Sequence, residues 1–393
     1  MFASQLRPCT SSIAISRKLA RRLQSTIAKD NVHASTKHSQ MDTIIHDIVP
    51  TRDSTHQNPS EDILDSTVNN NSTGIPLLEK GIQKTDEITS KFQDYMYKFN
   101  KLPANYAANQ ILELEDQELQ FELESILNQF NAPIKYAFGY GSGVFEQTGY
   151  NIKEKPQIDM IFGVTHPSHF HSLNMRQNPD HYSTLKYFGS EFIAKFQDIG
   201  AGIYFNPFVK INGHEVKYGI VSMKMLLKDL ATWNTFYLAG RLQKPVKILK
   251  NDLRVQYWNQ LNLKAAATIA KHLTLQKNNG KFDEFEFYKE ITGISYLGDI
   301  RYVLGAENPN KVQNIVDKNF TRFQSYYEPI YKDVVINNSS YLPVGFTINN
   351  TTRKLRGRIS RSSILQTLKG ILTAGPAKSL RYAWAKKMKT FRK

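Results

Sequence analysis

Ile134-Lys-Tyr-Ala-Phe-Gly-Tyr-Gly-Ser-Gly-Val144, followed after a polar spacer by Gln157-Ile-Asp-Met-Ile-Phe-Gly-Val164, decides how this chain is read. Lys135–Phe138 reads as a buried strand that runs into a turn at Gly141, Ser142 and Gly143. Residues 157–164 read as a second strand: a short run rich in branched and aromatic residues, with one acid, Asp159, inside it. A carboxylate in such a run is costly unless something pairs with it. A metal ion that also touches a bound phosphate is one such partner. A Gly-Ser turn supplies the other half of a phosphate site, because small residues let backbone N–H groups approach phosphate oxygens and the serine hydroxyl adds a donor.

A strand with Gly-Ser followed by a strand with Asp resembles the nucleotidyltransferase superfamily that includes DNA polymerase β. An ordinary hairpin beside a salt-bridged strand acid is the plain alternative.

The 393 residues allow two domains and tails. The formal net charge of +16 is concentrated at the ends. Residues 1–29 hold six Lys and Arg and no acid, and residues 351–393 hold thirteen and no acid, which leaves a net −3 on residues 30–350. The body is therefore not a broad nucleic-acid groove, and an anionic target belongs to a tail. The one cysteine, Cys9, excludes an internal disulfide framework. No apolar run approaches the ~20 residues that span a bilayer.

Residues 1–29 have the make-up of a mitochondrial presequence. Residues 30–75, without an aromatic residue, read as a disordered linker. Residues 79–99 and 115–130 read as helices, the second with Leu119, Leu123, Ile126, Leu127 and Phe130 at helical spacing. The stretch around His169, His171 and His181 reads as an irregular connection whose imidazoles are metal ligands, phosphate donors or structural hydrogen-bonding groups. Gly200–Asn206 and Glu215–Ser222 read as strands joined at Asn212-Gly213. Lys217, in the second of these, either faces solvent or meets phosphate charge.

From Met223 the pattern turns helical: Met223–Leu242, 262–276, 283–292 and 309–328. Residues 332–352 are Asn-rich and irregular. In the basic tail, Ile364, Leu365, Leu368, Ile371 and Leu372 share a helical face. Past Gly375-Pro376, Leu380, Trp384, Met388 and Phe391 form a second stripe among lysines and arginines. Such a basic amphipathic segment suits an anionic membrane surface; the alternative is a helix packed on the protein's own core.

Several motifs then occur in one order: Phe138-Gly-Tyr-Gly-Ser-Gly-Val144, Ile158-Asp-Met-Ile161, the His171 to Ser183 block, Lys217-Tyr-Gly219, Ala239-Gly-Arg-Leu-Gln-Lys-Pro-Val246, Tyr296-Leu-Gly-Asp-Ile-Arg301 and Gln366 to Gly375. Together they resemble the mitochondrial phosphatidate cytidylyltransferase (translocator assembly and maintenance) family over roughly residues 77–390. The resemblance implies an α+β architecture: a polymerase β-like nucleotidyltransferase domain (77–224), a mostly helical winged-helix-like domain (225–335) and a membrane-binding tail (355–393). It implies CTP and phosphatidic acid as substrates, Mg²⁺ as the metal, and a peripheral place on the matrix side of the inner mitochondrial membrane, where the product feeds cardiolipin synthesis.

On this reading Gly141, Ser142 and Gly143 hold the triphosphate and Asp159 holds Mg²⁺. Lys217, Arg241 and Lys244 neutralise phosphate. His171, His181, Asp299 and Arg301 are pocket candidates. Nucleotidyltransferases commonly carry two acids two residues apart on the second strand, but here the second position is Ile161. Asp299, Asp229 and the triphosphate itself are open as sources of a further ligand. Two other functions remain for such a chain: an RNA nucleotidyltransferase, which the charge balance disfavours, and a non-enzymatic import or assembly factor on the same fold.

Overall fold

The computed structural model describes residue 102 and residues 105–145, 156–303, 305 and 308–374. The presequence, the linker, the 79–99 helix and the Leu380–Phe391 stripe lie outside the described residues.

The decisive stretch forms two strands, β1 (Tyr136–Tyr140) and β2 (Ile158–Val164). They pair antiparallel, with Tyr140 opposite Asp159. β3 (Ile203–Ile211) and β4 (His214–Ser222) form the expected hairpin, and Asn212 and Gly213 both take positive φ, as a tight two-residue turn requires. The sheet order is β3-β4-β2-β1-β5, with β5 at Lys247–Lys250. β2 and β4 run parallel, and every other pair is antiparallel.

Both faces of the sheet are covered, which is why β1 and β2 are apolar almost throughout. Met160, Phe162, Val216, Tyr218 and Ile220 point into one core. It is shared with α1 (Gln117–Asn128), α2 (Pro167–Gln177) and α3 (Gly189–Asp198). Tyr136, Phe138, Tyr140, Ile161 and Val221 point into the other. That core includes α4 (Met223–Thr232), the short α5 (Ala239–Leu242) and part of α6 (Leu253–Lys277). Then follow α7 (Glu284–Ile294), α8 (Ile300–Val303), α9 (Lys311–Tyr331), one π-helical turn at Lys332–Ile336, and α10 (Ile348–Ala374).

Four expectations change. The His171 region is a helix, not an irregular connection: Pro167 starts α2 at its first turn, where a missing N–H costs nothing. The expected Met223–Leu242 helix breaks at Trp233 and Phe236, both in the left-handed region. The helix expected over 262–276 begins nine residues earlier, capped by Asp252 on the amide of Arg254. The sheet also takes a strand, β5, from beyond residue 224. Among the described residues of 225–335 that is the one strand, so the hairpin of a wing is absent there.

Candidate active site

β1 carries the chain into the turn at Gly141, whose φ of +80° suits glycine. The Gly141 carbonyl accepts from the amides of Val144 (3.1 Å) and Phe145 (2.9 Å). The amides of Ser142 and Gly143 have no acceptor among the described residues. Gly143 has a separate reason to be glycine: a Cβ there would lie 2.3 Å from the Gln157 carbonyl oxygen at the start of β2. The turn is pressed onto the neighbouring strand, which fixes where its amides point.

Asp159 lies beside this turn. Parallel register sets it next to Lys217 of β4, whose Nζ donates to Asp159 Oδ1 at 3.0 Å. The other oxygen, Oδ2, would be 3.5 Å from a Cβ on Gly141. The side chains are 25% and 30% exposed, so the pair reaches solvent from the end of the sheet. Burial opposes the Lys217 charge, but Asp159 and, less strongly, Tyr140 and Tyr237 outweigh it, so its pKa rises.

Arg241 completes the group. Its guanidinium carbon lies 4.6 Å from the ring centres of both Tyr140 and Tyr237, which clamp the planar cation between them. Burial acts against this cation too and is outweighed by Tyr140, Tyr237 and Asp159. The same surroundings push the Tyr140 phenol up to about 12, mainly through burial. Neither tyrosine stands out in the sequence as a site residue, although Tyr140 lies inside the motif that opens it.

The segment bearing Arg241 is organised by Asp229, on the last turn of α4. Its two oxygens accept from the amides of Thr235, Phe236, Leu238 and Ala239 and from the Thr235 hydroxyl, all between 2.7 and 3.0 Å. A carboxylate so occupied is a structural bracket and not a metal ligand. Lys244, one turn beyond Arg241, donates to Gly240 O and to Ser295 Oγ (2.8 Å). Burial, reinforced by Arg241 and Lys311, drives its pKa well below that of an ordinary lysine.

Ser295 leads to Asp299 and Arg301, which pair with each other. Arg301 Nε and Nη2 donate to the two Asp299 oxygens at 3.1 and 2.6 Å. The Arg301 amide and Ser363 Oγ add two further bonds to Oδ1. Burial opposes the Asp299 charge, but these donors hold its carboxyl below the usual range. Asp299 is therefore committed as well. The Arg301 charge reaches Arg241 and opposes it.

The two histidines are elsewhere. His171 bonds Tyr182 OH and Gln197 Oε1, each at 2.9 Å, and His181 bonds Tyr218 OH at 2.8 Å. Asn174 ties the same two tyrosines together. Tyr218 follows Lys217 on β4 and so points to the opposite face of the sheet. Burial lowers both imidazoles to about 4, so they stay neutral. They are core groups of α2 and its flank, which answers the expectation that they line the pocket.

Among the described residues no group of three or more His, Cys, Asp or Glu could hold a metal ion. Asp159 does fit one that is shared with substrate. Oδ2 has no donor and faces the turn with the free amides, and Mg²⁺ is typically bound through one or two carboxylates plus phosphate oxygens.

The family described as "Phosphatidate cytidylyltransferase, mitochondrial" matches residues 123–344 and 346–389. Proteins of that name are similar to this chain in several organisms. The one from Saccharomyces cerevisiae is 71% identical over 81% of this chain and 83% of its own length. That from Schizosaccharomyces pombe is 47% identical over 55% and 54%, and that from Xenopus laevis 36% over 69% and 95%. A solved nucleotidyltransferase-like protein from Exiguobacterium sibiricum aligns over 65% of this chain and 77% of its own, at 8% identity and a TM-score of 0.22.

Proposed function

The chain belongs to the mitochondrial phosphatidate cytidylyltransferase family, and on that footing we propose that it joins CTP to phosphatidic acid, making CDP-diacylglycerol and pyrophosphate. A phosphate oxygen of phosphatidate attacks the α-phosphorus of CTP. The new P–O bond forms as the bond to the pyrophosphate oxygen breaks, and the electron pair leaves with pyrophosphate. Such a transfer asks for positioning and charge neutralisation more than covalent chemistry.

One observation carries the reading. The Gly141–Gly143 turn, the Asp159–Lys217 pair and the clamped Arg241 converge at one end of the sheet, as a polymerase β-like nucleotidyltransferase site would need. The Ser142 and Gly143 amides and the Ser142 hydroxyl bind triphosphate oxygens. Lys217 and Arg241 neutralise charge that builds on the phosphates. Lys244, whose charge burial disfavours, holds its proton more readily once an anion lies beside it. Mg²⁺ held by Asp159 and the triphosphate would add neutralisation on the phosphate oxygens.

The lipid substrate must be met at a membrane, and no helix among the described residues is long and apolar enough to cross one. We place the enzyme peripherally on the matrix side of the inner mitochondrial membrane, upstream of cardiolipin. It is held there by the basic tail, with the outward apolar face of α10 in anionic lipid. The test is turnover by the full chain with labelled CTP, Mg²⁺ and phosphatidate vesicles. Labelled lipid should form, and Asp159→Ala should abolish it. Label entering RNA, or no lipid product from folded protein, overturns the reading.

A further inference from the structure

Helix α10 docks with a mixed face: Leu355 and Ile359 enter the core, and a row of polar residues is buried beside them. Thr351, Ser362, Ser363, Gln366, Lys369 and Thr373 are buried, while Ile364, Leu365, Leu368 and Ile371 are exposed. Burying polar groups is favourable only where each finds a partner, so what the inward face holds indicates what the helix is for. It holds the two segments that carry the site's cations.

The first is the segment from α4 to Arg241. Arg358 Nη1 donates to the carbonyls of Thr232 (3.1 Å) and Trp233, where α4 ends and the Asp229 bracket begins. Four and eight residues further on are Tyr237 and Arg241. The second is the segment from Ser295 to Arg301. Ser363 Oγ donates to Asp299 Oδ1 at 2.9 Å, and Asp299 holds the Arg301 guanidinium by both oxygens. The neighbouring Gly298, at φ +74°, packs so tightly that a Cβ there would lie 2.8 Å from the Arg356 carbonyl oxygen. Backbone meets backbone, so the loop follows the helix. Arg358 and Ser363 are five residues apart, about 7.5 Å of helix. Lys369 then fastens the helix to the end of α3, donating to Gln197 O and Ile199 O at 2.8 Å each.

We propose that α10 is a brace for the active site, with Arg358 and Ser363 as positioning residues that set the Tyr237–Arg241 and Asp299–Arg301 segments against each other. Neither touches substrate. Ser363 acts through Asp299 on Arg301, and Arg358 acts through the α4 terminus on the clamp around Arg241. The same helix turns its aliphatic face outward, so one rigid element both offers a surface to lipid and sets the spacing of the cations.

The inference rests on the cytidylyltransferase reading only for what the cations bind, so the readout is CTP affinity of the full chain, titrated directly, beside KM and kcat. Ser363→Ala should weaken CTP binding and raise KM for CTP by about tenfold, the scale of one hydrogen bond to a charged group. Sedimentation with vesicles should stay near wild type, and the thermal midpoint should fall by no more than the few degrees that one such bond is worth. Ser363→Thr, which keeps the hydroxyl, should restore affinity. Unchanged CTP affinity in folded Ser363→Ala overturns the brace, as does a loss that appears only as a lower thermal midpoint or a smaller active fraction. Wild-type chain that binds CTP but labels no lipid would overturn the cytidylyltransferase reading and leave the brace to be decided by the affinities.

Discussion

Gly143→Ala tests whether the turn is positioned by its contact with β2. The Cβ would stand 2.3 Å from Gln157 O and 2.9 Å from both Gln157 C and Ile158 Cα. An ordinary contact begins near 3.4 Å, so the deficit is about 1.1 Å, and the partners are backbone atoms of the residue leading into β2 and of its first residue. Ile158 is paired with Val216 of β4 and Asp159 with Tyr140 of β1, so most of the shift falls on the turn, which must lift by up to roughly that distance. Overpacking of this kind costs about 1–3 kcal/mol in stability. The larger effect is on chemistry, because the Ser142 and Gly143 amides travel with the turn, and a misplacement of ~1 Å costs on the order of a hundredfold in rate. Turnover with labelled CTP and phosphatidate vesicles, beside a thermal melt, reads both quantities. The melt should fall by several degrees and kcat/KM by about a hundredfold. Gly213→Ala, on the outer hairpin turn with nothing within 4 Å, should lose stability through its φ of +82° but keep kcat/KM. Gly143→Ala at near wild-type kcat/KM would refute the argument that the strand contact sets the turn.

Arg241→Lys keeps the charge but loses the planar stack between two rings, each contact being worth ~0.5–2 kcal/mol; kcat/KM should fall about ten- to a hundredfold, and full activity would show that the clamp is incidental. Ile364→Ser with Leu368→Ser removes aliphatic surface that is partly exposed, so vesicle binding should drop while the melt changes little; a cut at 355 would instead take away Leu355 and Ile359, both buried in the core. Burial lowers Lys369 to about 7, with Asp198 opposing. The unfolded chain, titrating near 10.4, binds more protons between those values, so this residue's contribution is complete above about pH 10 and is lost as pH falls through about 7. Wild-type stability relative to Lys369→Met should climb across that window, and a difference that ignores pH would refute the buried, neutral lysine.

The sheet strands were legible because they obey simple rules. β1, β2 and the β3–β4 hairpin have apolar runs and turn residues that leave few alternatives. α1 reads from its spacing, since Leu123 and Ile126 are fully buried. α2 does not, because its Ser, His and Asn residues are poor helix formers; what holds it is a tertiary network of His171, Asn174, Tyr182 and Tyr218 that no local window contains. The strand membership of Lys247–Lys250 is equally non-local. Its pairing with β1 spans more than a hundred residues, and Lys247 is buried with its ammonium on Leu112 O.

In the site, the sequence identifies residues but not their state of occupation. Asp159, Asp229 and Asp299 are alike as letters. Register leaves one oxygen of the first free beside the turn, five donors close the second, and Arg301 with Ser363 closes the third. The missing second acid of the strand motif is thus not replaced by either aspartate. Among the described residues, Asp159 is the site carboxylate with an oxygen left open beside the turn.

α10 shows why a helical stripe alone does not say which way a helix faces. Ile364, Leu365, Leu368 and Ile371 would by hydrophobicity be the docking side. They are outward because the opposite side, which buries Leu355 and Ile359, also meets polar demands: Lys369 and Arg358 donate to carbonyls at the ends of α3 and α4, and Ser363 adds a fourth bond to the Asp299 carboxylate that Arg301 already holds. Leaving any of these groups buried and unpaired would cost about 1–3 kcal/mol or more, comparable with burying a leucine. In water the outward leucines and isoleucines are a liability for a monomer. On the proposed peripheral placement, the same face would meet the bilayer, and the cost of exposing it would disappear once the protein is on its surface.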